Sequence, residues 1–386
     1  MNEKRMIAQT ASRQQRPLLM AHYMPWFEAK PKQSQWGWHW TMNAFNPEQI
    51  TTGKRQIASQ YYPLIGPYDS GDATVIEYHF LLMKLAGIDG VIVDWYGLSN
   101  FLDYPALHRN TGALVQNAAR FKLQIGICYE DQTIPKLVEA KRIMAEQRIS
   151  FAAGELQWLR QNWFRLPSYL QINKKPVLLS FGTTGLSDEE WQQVLRTVDT
   201  PLLYFSEHRR RNAAVGAFDW PQPQRGLASV DAFYQSAKGE TLFIPSAFPR
   251  FHDIYKEAKV GDSYGRIEDE RGRTFDTTLT RAWNSGAPIV QIATWNDWGE
   301  GTMIEPSAEF GYRDLETTQR LRRMRDGQFR TTADDLRLPY RLWALRQRQA
   351  GQPMLLPRLN TVAGLLTSGK MPQARLALQR IEAEQK

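Results

Sequence analysis

Short apolar runs rich in β-branched and aromatic residues recur along this chain, at positions 18–27, 90–96, 123–130, 176–181, 201–207, 216–220, 242–248 and 289–296. Each is the length of a strand buried on both faces. Between several of them the apolar positions shift to a helical period, as at 74–86, 104–121 and 188–198. Strands alternating with helices predict a parallel sheet. Eight such units within one stretch predict a closed (β/α)8 (TIM) barrel of the α/β class over 18–331. A polar tail, 1–17, precedes it. Beyond it the pattern becomes wholly helical: a basic amphipathic helix at 336–349, then a hairpin of 359–366 and 372–384 turned at Ser368-Gly369-Lys370. The span 332–386 therefore reads as a helical C-terminal extension packed on the barrel.

Many of the strands end in groups that carry chemistry. The first ends in His22, Tyr23, Trp26 and Phe27, and the second in Asp94, Trp95 and Tyr96. Tyr129, Glu130 and Asp131 close the third, Glu207 and His208 the fifth, and Asn296, Asp297 and Glu300 the eighth. Barrel enzymes place their chemistry at the carboxyl ends of the strands, so these residues are expected at one mouth. The eighth segment, IVQIATWNDWGEGTMIEP at 289–306, is the richest. It sets Asp297 and Glu300 three residues apart between Trp295 and Trp298. Two carboxyls framed by aromatics fit glycosidic-bond cleavage, in which one group protonates the leaving oxygen and the other is base or nucleophile. The competing reading is a capped turn after the strand, with Asp297 as the cap.

Composition and charge narrow the choice. The net charge is +8, and the densest basic runs are 208–211 and 320–325. Aromatics do not interleave with them and no helix-turn-helix or zinc-finger spacing occurs, so nucleic acid is not the expected partner. No apolar run approaches the roughly 20 residues of a membrane span. No secretory leader is visible, which reads as cytoplasmic for the chain as it stands, or periplasmic or secreted if a leader was removed. The single cysteine, Cys128, permits no intrachain disulfide and is expected as a small buried hydrophobe. The six histidines lack HExxH or paired ligand spacing, so neither metal nor cofactor is expected. No GxSxG elbow or phosphate-binding glycine loop is present.

The segment TWNDWGEGTMIEP resembles the signature of glycoside hydrolase family 99, the endo-acting α-mannosidases, while its Asn-Asp-aromatic-Gly-Glu centre resembles family 71, the α-1,3-glucanases. AHYMPWF at 21–27, YYPLIGPYDSGD at 61–72 and LAGIDGVIVDWYG at 85–97 resemble further family segments, in order, so the likeness runs over about 18–315. It implies a (β/α)8 barrel, no metal, and a retaining endo-α-glycosidase with an oligosaccharide or polysaccharide substrate. By that likeness Glu300 is the general acid/base. Asp297 takes the place of the carboxylate that deprotonates the substrate 2-hydroxyl, giving an anhydro-sugar. Asp297 stands where family 99 has Glu, one methylene longer, and Gly299 where it has His. Expected sugar contacts are Tyr23, Trp26, His39, Asp69, Trp95, Tyr96, Glu130, Trp295, Asn296 and Trp298. For these the alternatives are packing beneath the loops, helix capping for the Asp69–Asp72 region, and a buried ion pair for Glu130. A non-hydrolytic glycan-binding or surface-polysaccharide biosynthesis role on the same barrel is the other class of function.

Overall fold

The computed structural model describes residues 16–348 and 354–385. Most of the expected polar tail, together with Gln349 at the end of the expected basic helix, lies outside the described residues. Eight parallel strands form the barrel: β1 Leu18–Tyr23, β2 Gly90–Trp95, β3 Gln124–Tyr129, β4 Lys175–Ser180, β5 Leu203–Glu207, β6 Gly216–Phe218, β7 Ser246–Ala247 and β8 Ile289–Ile292. β8 pairs with both β1 and β7. The ring closes where Phe218 bridges Ile244, just before β7, with Ile244 N–H donating to Ala217 O and Asp219 N–H to Ile244 O, both at 2.9 Å. All eight expected strands are present. Those expected at 18–27 and 289–296 stop several residues early, because their last residues turn into the loops that shape the mouth.

The helices α1 Ala73–Ala86, α2 Tyr104–Phe121, α3 Arg148–Asn162, α4 Asp188–Val198, α5 Leu227–Ser236, α6 Arg273–Trp283 and α7 Arg313–Arg325 cover the sheet. Their ends are specified locally. Asp72 caps α1 by accepting from Thr74 N–H at 2.7 Å, and Ser187 with Glu190 forms a capping box on α4. No helix joins β5 to β6; the chain crosses there in a short loop. Strand alternation then sorts side chains into two layers. Leu19, Ala21, Val91, Val93, Ile125 and Ile127 face the helices, whereas Met20, Ile92, Cys128, Leu179 and Phe205 fill the barrel interior.

The C-terminal helices α8 Leu338–Arg348, α9 Leu355–Thr367 and α10 Met371–Glu384 bury Leu342, Leu345, Leu359, Val362, Leu366, Leu378 and Ile381 in the helix-side core. A buried ion pair of Arg346 with Glu77 ties α8 to α1. The basic run at 320–325 is largely consumed within the fold: Arg320 pairs with Asp276, Arg322 with Asp89, and Arg325 with the Asn284 side chain.

Candidate active site

Directly after β8 the chain turns back on itself through 294–302. Thr294 N–H donates to Thr302 O, and the two threonine hydroxyls lie 3.0 Å apart. Asp297 N–H donates to Thr294 Oγ1 at 2.8 Å, and Asp297 Oδ1 accepts from Glu300 N–H at 2.9 Å. The turn reading is therefore realised in the fold: Asp297 caps its own turn. Gly301 completes it at φ 68°, where an added Cβ would come within 2.6 Å of His252 O. Glycine is required there on both counts.

Asp297 also lines a cleft of about 630 Å³ over the mouth, with Trp26, His39, Tyr96, Tyr255 and Tyr264 around it and Lys136 as its single lining cation. Trp26 and His39 stack at 4.2 Å with an interplanar angle of 5°. His39 Nε2 lies 3.1 Å from Asp103 Oδ2, which fixes the imidazole at the rim. The larger hollow beside α10, of about 760 Å³, is built from 328–332 and the start of that helix and contains neither carboxylate.

The two carboxyls occupy different environments. Burial raises Asp297 to about 6, held there by opposing N–H donors of Glu300 and Gly299. Glu300 is pushed well above the usual carboxylate range, first by burial and then by Asp297, Asp253 and Glu207. Its Oε2 is buried without a hydrogen-bond partner. Asp94 and Glu130 are also raised, by burial first and then by carboxylate neighbours: Asp297 for Asp94 and Asp94 for Glu130. Glu207, at the end of β5, is raised to about 7 by burial. Groups split in this way near neutral pH have the proton affinities that an acid and a base require.

The expected sugar contacts divide sharply. Trp26, His39 and Tyr96 line the cleft with Asp297; Glu130 is buried at the end of β3, within electrostatic reach of Asp94, and is not among the residues that line the cleft. Glu130 accepts from Gln132 Nε2 at 2.8 Å and makes no ion pair with a lysine or arginine among the described residues. Tyr23, Trp95 and Trp295 are corrected as direct contacts: all three are fully buried on the helix side of the sheet. Tyr23 Oη is 2.9 Å from His79 Nδ1, Trp95 Nε1 donates to His108 Nδ1 at 3.2 Å, and Trp295 packs on His79. Strand parity is the reason, since Asp94 points inward and its neighbour Trp95 must point outward.

Asn296 and Trp298 are likewise corrected to supporting positions. Asn296 accepts from Met24 N–H at 2.8 Å and donates to Met24 O at 2.9 Å, clamping the loop after β1 to the loop after β8. Trp298 Nε1 donates to Glu305 Oε2 at 3.2 Å, and Tyr68 donates to the same oxygen at 2.7 Å. Glu305 Oε1 lies 2.9 Å from His79 Nε2. Asp69 is a loop organiser, with Gly71 N–H and Ala29 N–H on its two oxygens.

Residues the sequence reading did not single out for the site include Tyr255, Tyr264 and Lys136, which lie outside the strand ends, and Glu305. Asp94 and Glu207 were visible as strand-end acids, and inward parity would have selected them.

A closed ring of eight parallel strands with helices outside it, carrying carboxyls at the ends of β2, β3, β5 and β8, is a (β/α)8 (TIM) barrel. Within that fold class, the chain is family 99-like in sequence and fold. It is 24% identical over 296 residues to a glycoprotein endo-α-1,2-mannosidase-like protein of Danio rerio, covering 69% of this chain and 64% of that protein. It is 20% identical over 269 residues to the Mus musculus glycoprotein endo-α-1,2-mannosidase, covering 64% and 57%. The chain thus spans less than two thirds of either relative's length. The family 99 endo-α-mannosidase of Bacteroides thetaiotaomicron superposes with a TM-score of 0.59 at 20% identity, over 83% of this chain and 98% of that one. No protein-family model matches the chain.

Proposed function

We propose that this protein is a retaining, endo-acting glycoside hydrolase for an α-linked, mannan-type glycan. The observation that carries the reading is the unequal pair after β8: Asp297 lining an aromatic cleft, and Glu300, three residues on in the same turn, with a raised affinity for its proton. Glu300 protonates the leaving glycosidic oxygen and then, as the conjugate base, draws a proton from water. Asp297 is ionised first and acts as the partner base. Following the family 99 pattern, it takes the proton from the 2-hydroxyl, whose oxygen attacks the anomeric carbon to give an anhydro-sugar that water opens. Trp26 and Tyr96 supply apolar faces for pyranose rings, and the open cleft admits the interior of a chain, which supports endo action.

Glu300→Gln keeps the shape and removes the proton. Turnover on α-mannan oligosaccharides should fall about 10²- to 10⁴-fold with binding retained; unchanged turnover would remove Glu300 from the mechanism. A 2-deoxy-2-fluoro substrate lacks the attacking hydroxyl, so no covalent sugar adduct should form on Asp297. A trapped adduct in the mass spectrum would replace the anhydro-sugar route with a direct carboxylate nucleophile.

A further inference from the structure

Inside the barrel three inward side chains from adjacent strands meet: His22 of β1, Asp94 of β2 and Cys128 of β3. Each is at most 4% exposed, and one ligand atom from each lies within 4.8 Å of the others. Two of these groups have atoms with no partner at all, His22 Nε2 and Asp94 Oδ1. Leaving buried polar atoms unpaired costs about 1–3 kcal/mol each, so a native interior rarely tolerates two side by side.

The network behind His22 fixes which of its nitrogens carries the proton. Gln291 Nε2 donates to Asp219 O at 3.2 Å, which orients the Gln291 amide with its oxygen toward the imidazole. His22 Nδ1 lies 3.2 Å from that oxygen and must therefore be the N–H donor. Nε2 is left as a buried lone pair without a hydrogen-bond partner, in the same cluster as Asp94 and Cys128. A histidine whose far nitrogen is held by an oxygen acceptor is the usual arrangement behind a metal ligand.

We propose that His22, Asp94 and Cys128 bind a zinc-type divalent cation inside the barrel, at the carboxyl ends of β1, β2 and β3. The nitrogen, carboxylate and sulfur donor set suits zinc, whereas magnesium and calcium take oxygen ligands. Bonds of about 2.0–2.3 Å around a tetrahedral ion need donors roughly 3.3–3.8 Å apart, so side-chain movements of about 1 Å bring the three into place. Binding releases the protons of Cys128 and Asp94 to solvent, and the resulting thiolate and carboxylate together balance the ion's charge. No lysine or arginine forms a salt bridge with Asp94, Glu130 or Glu300 among the described residues. The ion would supply positive charge to this acidic cluster. Three protein ligands leave one position for water.

The test needs no substrate and stands apart from the glycosidase reading. Purified full-length protein is stripped with chelator, dialysed and titrated with Zn²⁺, and bound metal is measured by elemental analysis. One equivalent per chain and a raised Tm are expected. Co²⁺ in its place should give the near-ultraviolet charge-transfer band of a cobalt–thiolate bond, absent in Cys128→Ser. Gln291→Leu retains all three ligands but loosens His22, and should weaken Zn²⁺ binding about 10- to 100-fold. No stoichiometric zinc on the wild-type chain, or a cobalt spectrum unchanged by Cys128→Ser, would overturn the assignment.

Discussion

Asp297 and Glu300 share one turn, yet burial and neighbours give them different proton affinities, and this difference is measurable. The active form has Asp297 ionised and Glu300 protonated. The rate should therefore rise as pH passes through about 6, where Asp297 loses its proton, and fall at higher pH as Glu300 loses its own. The two limbs belong to the pair as a coupled unit. A kcat/KM profile from about pH 4 to about pH 9 should be bell-shaped; a profile with no acid limb would mean that Asp297 is not the base. Sequence alone could place these two carboxyls at a strand end. It could not rank their proton affinities, which depend first on burial and, for Glu300, then on Asp297 and on Asp253 and Glu207 from distant parts of the chain.

At the scale of elements, the clamp between the loops after β1 and β8 holds the cleft in shape. Asn296→Ala would strip partners from the buried Met24 N–H and carbonyl, costing about 2 kcal/mol or more in denaturant unfolding. A stability equal to wild type would show that the clamp is dispensable. Two tryptophans separate cleft from scaffold. Trp26→Ala should raise KM with little loss of stability, because its ring lies at the cleft. Trp95→Phe should lower stability by about 1–3 kcal/mol and leave KM unchanged, because Trp95 packs against His108, Trp158 and Trp163. The reverse pattern would invert the assignment of the two side chains. The strand and helix pattern was legible because continuous apolar runs alternate with periodic ones, and the 104–121 and 188–198 helices appear with those bounds. Facing was not, since Asp94 and Trp95 are adjacent in sequence and only pairing to β1 and β3 settles which one turns inward. The His22–Asp94–Cys128 cluster was invisible for the same reason: its members come from three strands, with no local spacing to read.

For the molecule as a whole, a net charge of +8 coexists with an acidic barrel mouth. Its carboxyls have folded-state proton affinities raised above those of the unfolded chain. Their stabilising contribution is full below the ordinary carboxylate range and is lost as pH rises through about 6 for Asp297 and about 7 for Glu207. The depressed carboxylates Asp89, Asp103 and Asp269, held by Arg or His partners, lose theirs only in stronger acid. Chelator-treated protein should accordingly have a higher Tm at about pH 5.5 than at about pH 8; the opposite order would mean these acids are compensated in solution. The central claim, retaining cleavage within an α-linked chain, meets its most direct test in proton NMR of the products released from α-mannan oligosaccharides. Internal cleavage is expected, with the new reducing end appearing first as the α-anomer, and no product from Glu300→Gln. First appearance of the β-anomer, or binding without any released product, would contradict it.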